Sequence, residues 1–152
     1  MHGGELFAVF NREPVIATAY WVSLRSREAV LLGGGDREIP YTPRNAAGLD
    51  LAFEEEESGT YVAGEVFYTG RQMLEEDPYR SVSPPYTEFG ILLAQRLDRI
   101  TLFANGDNLT GVRQSRYEPL ILQQRDELGR RMVNPWGPLE GRTINAGVRM
   151  RL

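Results

Sequence analysis

Five arginines, Arg113, Arg116, Arg125, Arg130 and Arg131, fall close together in a chain of 152 residues. Arginine offers paired N–H donors that fit carboxylates, so this set is the chain's candidate site for an anionic ligand. Its plainer use is contact with a membrane's outer leaflet or packing within a loop. Two acidic clusters stand upstream. Glu54 to Glu57 occupies a turn and reads as a solvated rim. Glu75, Glu76 and Asp77 lack the ligand spacing of a calcium loop, and no metal site is expected there. The chain has no cysteine, and its one histidine is His2. Thiol nucleophiles, disulfides and histidine triads are therefore excluded as chemistry. The triple glycine at 33–35 does not lead into a helix, as a phosphate cradle requires. Neither an enzyme nor a cofactor is expected. The net charge of -4 argues against a nucleic-acid partner, which selects basic surfaces.

The elements that must position these residues follow a period of two. In the final segment, RTINAGVRMRL, Ile144, Ala146, Val148, Met150 and Leu152 alternate with Asn145, Gly147, Arg149 and Arg151. Similar alternation predicts strands over 5–11, 14–27, 46–56, 60–70, 87–97 and 99–109, and no amphipathic helix. The links between them alternate in length. Those at 11–14, 56–59 and 98–99 are short, and those at 28–43, 72–85 and 110–141 are long. All short turns then lie at one end of the sheet and all long loops at the other. This predicts an all-β, antiparallel up-and-down meander of about seven long strands.

Face chemistry separates a membrane sheet from a soluble one. The strands approach ten residues, where about five or six is usual in soluble sheets and about ten is what a tilted strand needs to cross a bilayer. Asp50, Glu65, Asp107 and Arg149 fall in mid-strand on the polar face, which suits a water-filled lumen. Asn105, Asp107 and Arg149 are expected to line it in a structural role. Leu49, Leu51, Ile91, Leu93, Leu102, Ile144 and Val148 are expected to form one apolar belt against lipid. Tyr20, Trp21, Tyr68, Tyr86 and Trp136 suit an aromatic girdle at the membrane interface. The rival reading is a soluble β-sheet ligand-binding module that uses its long loops and covers the belt with a second layer.

Four motifs carry a resemblance. FANGDNLTGVRQSRYEPL, with Asn108-Leu109, resembles the penultimate strand and loop of TonB-dependent outer-membrane receptors. PLEGRTINAGVRMRL, with Gly141-Arg142, resembles their closing strand. Pro40 and Pro43 resemble the family's Pro-x-x-Pro strand entry, and Tyr68-Thr69-Gly70 its strand end. The order and spacing match over about residues 38 to 152. The resemblance implies part of a barrel of about 22 strands that imports a scarce nutrient such as a ferric siderophore or cobalamin across the outer membrane of a Gram-negative bacterium. Implied partners are outer-membrane lipid, the rest of the barrel and its plug, and a TonB complex reached through the plug-bearing portion. The sequence shows no signal peptide, TonB box or plug, and Leu152 stands where the family usually ends in an aromatic. The expectation is a barrel segment that does not transport alone.

Overall fold

A computed structural model describes residues 1–29 and 35–151. Gly33 and Gly34 of the triple glycine, and Leu152 of the final strand, lie outside them. Seven strands form one antiparallel sheet in the order β1 (His2–Arg12), β2 (Val15–Arg25), β5 (Asn45–Glu55), β6 (Thr60–Thr69), β7 (Tyr86–Leu97), β8 (Ile100–Asp107) and β11 (Thr143–Met150). Two small hairpins decorate the long links: β3 (Arg27–Ala29) with β4 (Asp36–Glu38), and β9 (Ile121–Arg125) with β10 (Arg131–Val133). The meander is the one the alternation predicts. The sheet does not close, so β1 and β11 are open edges.

Turn chemistry fixes the register. β7 and β8 join through Asp98-Arg99 alone, with Leu97 opposite Ile100 and Asp98 at φ 55°. Aspartate is among the few residues that tolerate this left-handed conformation. Gly59 has φ 69°, and a Cβ there would meet Arg96 at 2.8 Å, so the turn between β5 and β6 requires glycine. Strand β1 starts at His2 rather than Glu5, because pairing to β2 continues to Arg25 and overrides the weak strand preference of Gly3 and Gly4.

Directly opposed residues share a face. One row therefore runs through Leu6, Trp21, Ala47, Tyr68 and Thr87, and another through Phe53, Val62, Leu93, Ala104 and Ala146. This face carries the expected belt, and its larger members, including Leu49, Leu51, Leu93, Leu102, Ile144 and Val148, are exposed. The opposite face holds Asp50, Glu65, Asn105, Asp107 and Arg149, and on β5 its residues Ala46, Gly48, Asp50 and Ala52 are buried or half-buried. That crowding marks it as the inner side of a curved sheet.

Strand β2 is apolar on both sides. Ala17, Ala19 and Trp21 join the outward face. Ile16, Tyr20, Val22 and Leu24 turn inward.

Candidate functional site

The buried apolar side chains among the described residues are Leu74, Leu122 and Trp136. All belong to the long links, so the core sits at the long-loop rim and not in the sheet. The 70–85 link doubles back on itself through Leu74 N–H donating to Ser81 O (2.9 Å) and Ser83 N–H to Gln72 O (2.9 Å). In the third link a single 3-10 turn, Gln114–Arg116, aims Gln114 inward. Its Oε1 accepts from Trp136 N–H at 2.8 Å, and its Nε2 donates to Asn134 O at 2.8 Å and Glu118 Oε1 at 3.1 Å. Glu118 also accepts from the Trp136 indole and, through Oε2, from Arg80 Nε. The Arg80 guanidinium lies 5.8 Å from the Tyr117 ring centre and 5.7 Å from that of Trp136, within cation–π range. Gln72 Nε2 closes the network on Trp136 O at 2.6 Å.

The first long link is tied to the same cap. Tyr41 N–H donates to Met73 O (2.8 Å) and its hydroxyl to Asn134 Oδ1 (2.5 Å). Arg37 binds Glu75 and Glu28, and those two carboxylates, Glu75 first, raise its pKa. No buried side-chain nitrogen or oxygen among the described residues lacks a partner. Unpaired polar groups would be costly here, so full satisfaction makes the cap a specific structure rather than a loose set of loops.

The five arginines that could attract an anionic ligand lie on two different elements of the third link. Arg125, Arg130 and Arg131 belong to the β9–β10 hairpin. Arg125 Nη1 caps Gly129 O at 2.6 Å, and Arg130 Nε pairs with Asp126 at 2.7 Å. Hydrogen bonds from Arg130, backbone first and then side chain, hold the Asp126 carboxyl below the usual carboxylate range. Arg113 caps the 3-10 turn and Arg116 ends it; the Arg116 and Arg142 guanidinium groups both approach Gly111, and Arg113 lies against Gly141.

The quoted motifs acquire physical roles. Asn108, at φ 45°, folds the end of β8. Its Oδ1 accepts from Val112 N–H (3.1 Å), and its Nδ2 donates to Val112 O (2.7 Å) and Glu140 O (3.0 Å). Arg142 Nε donates to Leu109 O at 2.9 Å. A Cβ at Gly70 would lie 2.6 Å from Asn45 O, so glycine lets the two chains meet at the rim.

Asn105, Asp107 and Arg149 share the inner face, where Asn105 Nδ2 donates to Asp107 Oδ2 at 2.8 Å. A hollow of about 340 Å³ lies on that face, bordered by Asp50, Glu65, Asn105 and Asp107. The aromatic girdle needs correction. Trp21 and Tyr68 face outward in one row. Tyr20 and Tyr86 turn inward by register, and Trp136 is buried in the cap, 5% exposed. An aromatic side chain near a strand end reads alike in all three settings, and only pairing separates them. Gln72, Arg80, Gln114 and Glu118 carried no sequence signal, because their partners lie far along the chain.

No group of three acidic, histidine or cysteine side chains among the described residues is placed to hold a metal ion. No helix is long and apolar enough to cross a membrane, which says nothing about strands. No family model and no curated protein matches the sequence. Solved structures do match. The ferric-catecholate import receptor Fiu from K12 E. coli is similar over 97% of this chain, with a TM-score of 0.64 and 14% identity. The ferric enterobactin receptor PfeA from Pseudomonas aeruginosa is similar over 97% of this chain, with a TM-score of 0.60 and 17% identity. This chain has the fold of a stretch of receptor barrel wall. It spans 20% of the first receptor's length and 22% of the second's.

Proposed function

We propose that this chain is a section of the barrel wall of a TonB-dependent outer-membrane receptor that imports a scarce nutrient, a ferric siderophore being the leading class. The observation that carries the reading is the apolar belt. Leu49, Leu51, Leu93, Leu102, Ile144 and Val148 are 43–71% exposed on one face of an antiparallel sheet, and the described residues provide no second layer over them. Water penalises such a surface, whereas lipid does not. The likeness to two ferric-ligand receptors supports the nutrient class at the level of fold. Transport belongs to the complete barrel with its plug.

Strand parity constrains how that barrel closes. Seven is odd, so β1 and β11 run in the same direction. A ring of identical copies would put two parallel strands at every junction. An all-antiparallel barrel instead requires the remaining wall to supply an odd number of strands, since open edges are not tolerated in lipid. In this reading further polypeptide, rather than a second copy, completes the wall.

The test is fractionation of cells that express the chain together with the receptor portion that completes its barrel. The chain should sediment with the outer membrane and resist extraction by carbonate and high salt. Recovery in the soluble fraction, folded and protease-resistant, would sink the membrane reading and favour a soluble module that binds through its long loops.

A further inference from the structure

We propose that the free edge of β1 is a self-complementary docking surface, at which two copies of this chain pair strand to strand about a two-fold axis through Ala8. β1 is hydrogen-bonded to β2 alone, and all of its residues, His2–Arg12, are exposed. Leu6, Phe7, Val9 and Phe10 are 69, 71, 57 and 53% exposed. They occupy both faces. Leu6 opposes Trp21 and Phe10 opposes Ala17 on the outward side, while Phe7 opposes Tyr20 and Val9 opposes Thr18 on the inward side. Proline, lysine and bulges commonly keep an edge from pairing with another chain. β1 contains neither residue, and its pairing to β2 runs from end to end without a register shift.

The order of residues along the edge selects a second copy as the occupant. The middle of β1 reads ELFAVFN, Glu5 to Asn11. Outward from Ala8 it runs large, large, polar in both directions: Phe7, Leu6, Glu5 one way and Val9, Phe10, Asn11 the other. In an antiparallel pair centred on Ala8, Phe7 faces Val9 of the copy, Leu6 faces Phe10 and Glu5 faces Asn11. A two-fold axis normal to the sheet carries inward side onto inward side, so each of these pairs shares a face, and such pairs are what hold strands together. Gly4 faces Arg12 of the copy, and nothing lies within 4 Å of where a Gly4 Cβ would stand, so the arginine has room. No like charges meet. The neighbouring registers match less well. Centring on Phe7 sets Glu5 against Val9 and Gly4 against Phe10. Centring on Val9 sets Phe7 against Asn11, Leu6 against Arg12 and Glu5 against Glu13. Centring between two residues turns one copy's inward side onto the other's outward side. The opposite edge, β11, is shorter, and its inward positions Asn145, Gly147 and Arg149 offer little apolar surface. The pair sends the long loops of its two copies to opposite ends. It is therefore the form of the chain apart from its remaining wall, whose next strand competes for the same edge, and it holds whether lipid or water surrounds the sheet.

The test is sedimentation equilibrium of the full chain in octyl glucoside micelles, with β-structure followed by circular dichroism. The chain should sediment as a folded dimer. It has no cysteine, so single substitutions report the register. Ala8→Cys should cross-link to itself on mild oxidation, because opposed Cα atoms in an antiparallel pair, about 4.5–5.5 Å apart, lie within the span of a disulfide. Leu6→Cys should not, since the two copies of that residue stand about 13 Å apart along the strand; mixed with Phe10→Cys it should cross-link. A8R brings like charges together on the axis and should weaken the dimer about fivefold or more. Mixing A8R with A8E should restore it, which a folding defect would not allow. A folded monomer, a chain without β-structure, or self-linking of Leu6→Cys as fast as that of Ala8→Cys overturns the proposal. So does a dimer in which Ala8→Cys stays unlinked, which places the seam elsewhere, or an A8R dimer of undiminished strength.

Discussion

The belt and the cap of this protein solve opposite problems. On the outward face of the sheet, Leu49, Leu93, Leu102 and Val148 stand exposed, each held by strand pairing alone. At the long-loop rim, Trp136, Gln114 and Glu118 are almost fully buried, and every polar atom buried with them has a partner. A soluble domain would put its apolar side chains in the middle and its polar ones outside. Here the strands leave the apolar surface uncovered, and the loops gather a small polar core. The difference teaches that, if the sheet is a membrane wall as proposed, it takes its stability from an apolar surrounding, while the cap makes its own. Loops that stand in water need such an internal network.

That contrast can be broken most forcefully at the cap. Trp136→Ala removes the residue that joins Gln72, Gln114, Glu118 and the Arg80 clamp, at an expected cost of roughly 3–5 kcal/mol. Limited trypsin digestion of the completed barrel in vesicles should then cut within 110–141 while the strands stay protected. Continued protection of the loops would mean that the cap is not one unit.

Leu93→Arg probes the belt, placing a charge in the middle of the outward face. The expected loss is about 2–4 kcal/mol of stability in a bilayer, read from the urea midpoint of the barrel completed by its remaining wall and folded in phosphatidylcholine vesicles. An unchanged midpoint would show that this face does not meet hydrocarbon.

Gly70→Ala sharpens the comparison where the two regions join. Its methyl group would press on Asn45 O, only 2.6 Å away, and should cost about 1–3 kcal/mol. Amide exchange at the ends of β5 and β6 should rise together, with mid-strand amides unchanged.

The smallest effect concerns Asp126, in the exposed hairpin of the third link. Its folded-state pKa is depressed by Arg130, so its contribution is present above the unfolded carboxylate pKa of about 3.9 and is lost as pH falls through the folded value. An acid titration by NMR should show β9–β10 loosening below the usual carboxylate range, and Asp126→Asn should remove that acid-sensitive step without moving the main sheet.

The legibility of the molecule divides along the same line. Strand positions and the short turns at 11–14, 56–59 and 98–99 could be read because alternation and turn chemistry are local properties. The hairpins β3–β4 and β9–β10 were not read, since strands of three to five residues are too short to show a period. The cap was invisible because its bonds join residues far apart: Gln72 to Trp136 spans 64 positions and Tyr41 to Asn134 spans 93. The arginines were conspicuous by type, yet their division into a hairpin set and a rim set depends on where the third link folds back, and Arg142 entered the rim set only through that fold.

By itself, then, the sequence determined the strands, the order of short and long links, and the two chemically distinct faces of β5, β8 and β11, because a period of two forces alternate side chains apart. Strand β2 marks where that ends. With Ala17, Ala19 and Trp21 on one side and Ile16, Tyr20, Val22 and Leu24 on the other, both faces are apolar enough to be the outer one. Only the pairing of Ala19 with Leu49 and of Tyr20 with Gly48 decided the matter, because a one-residue slip would exchange the faces and register is a property of neighbouring strands.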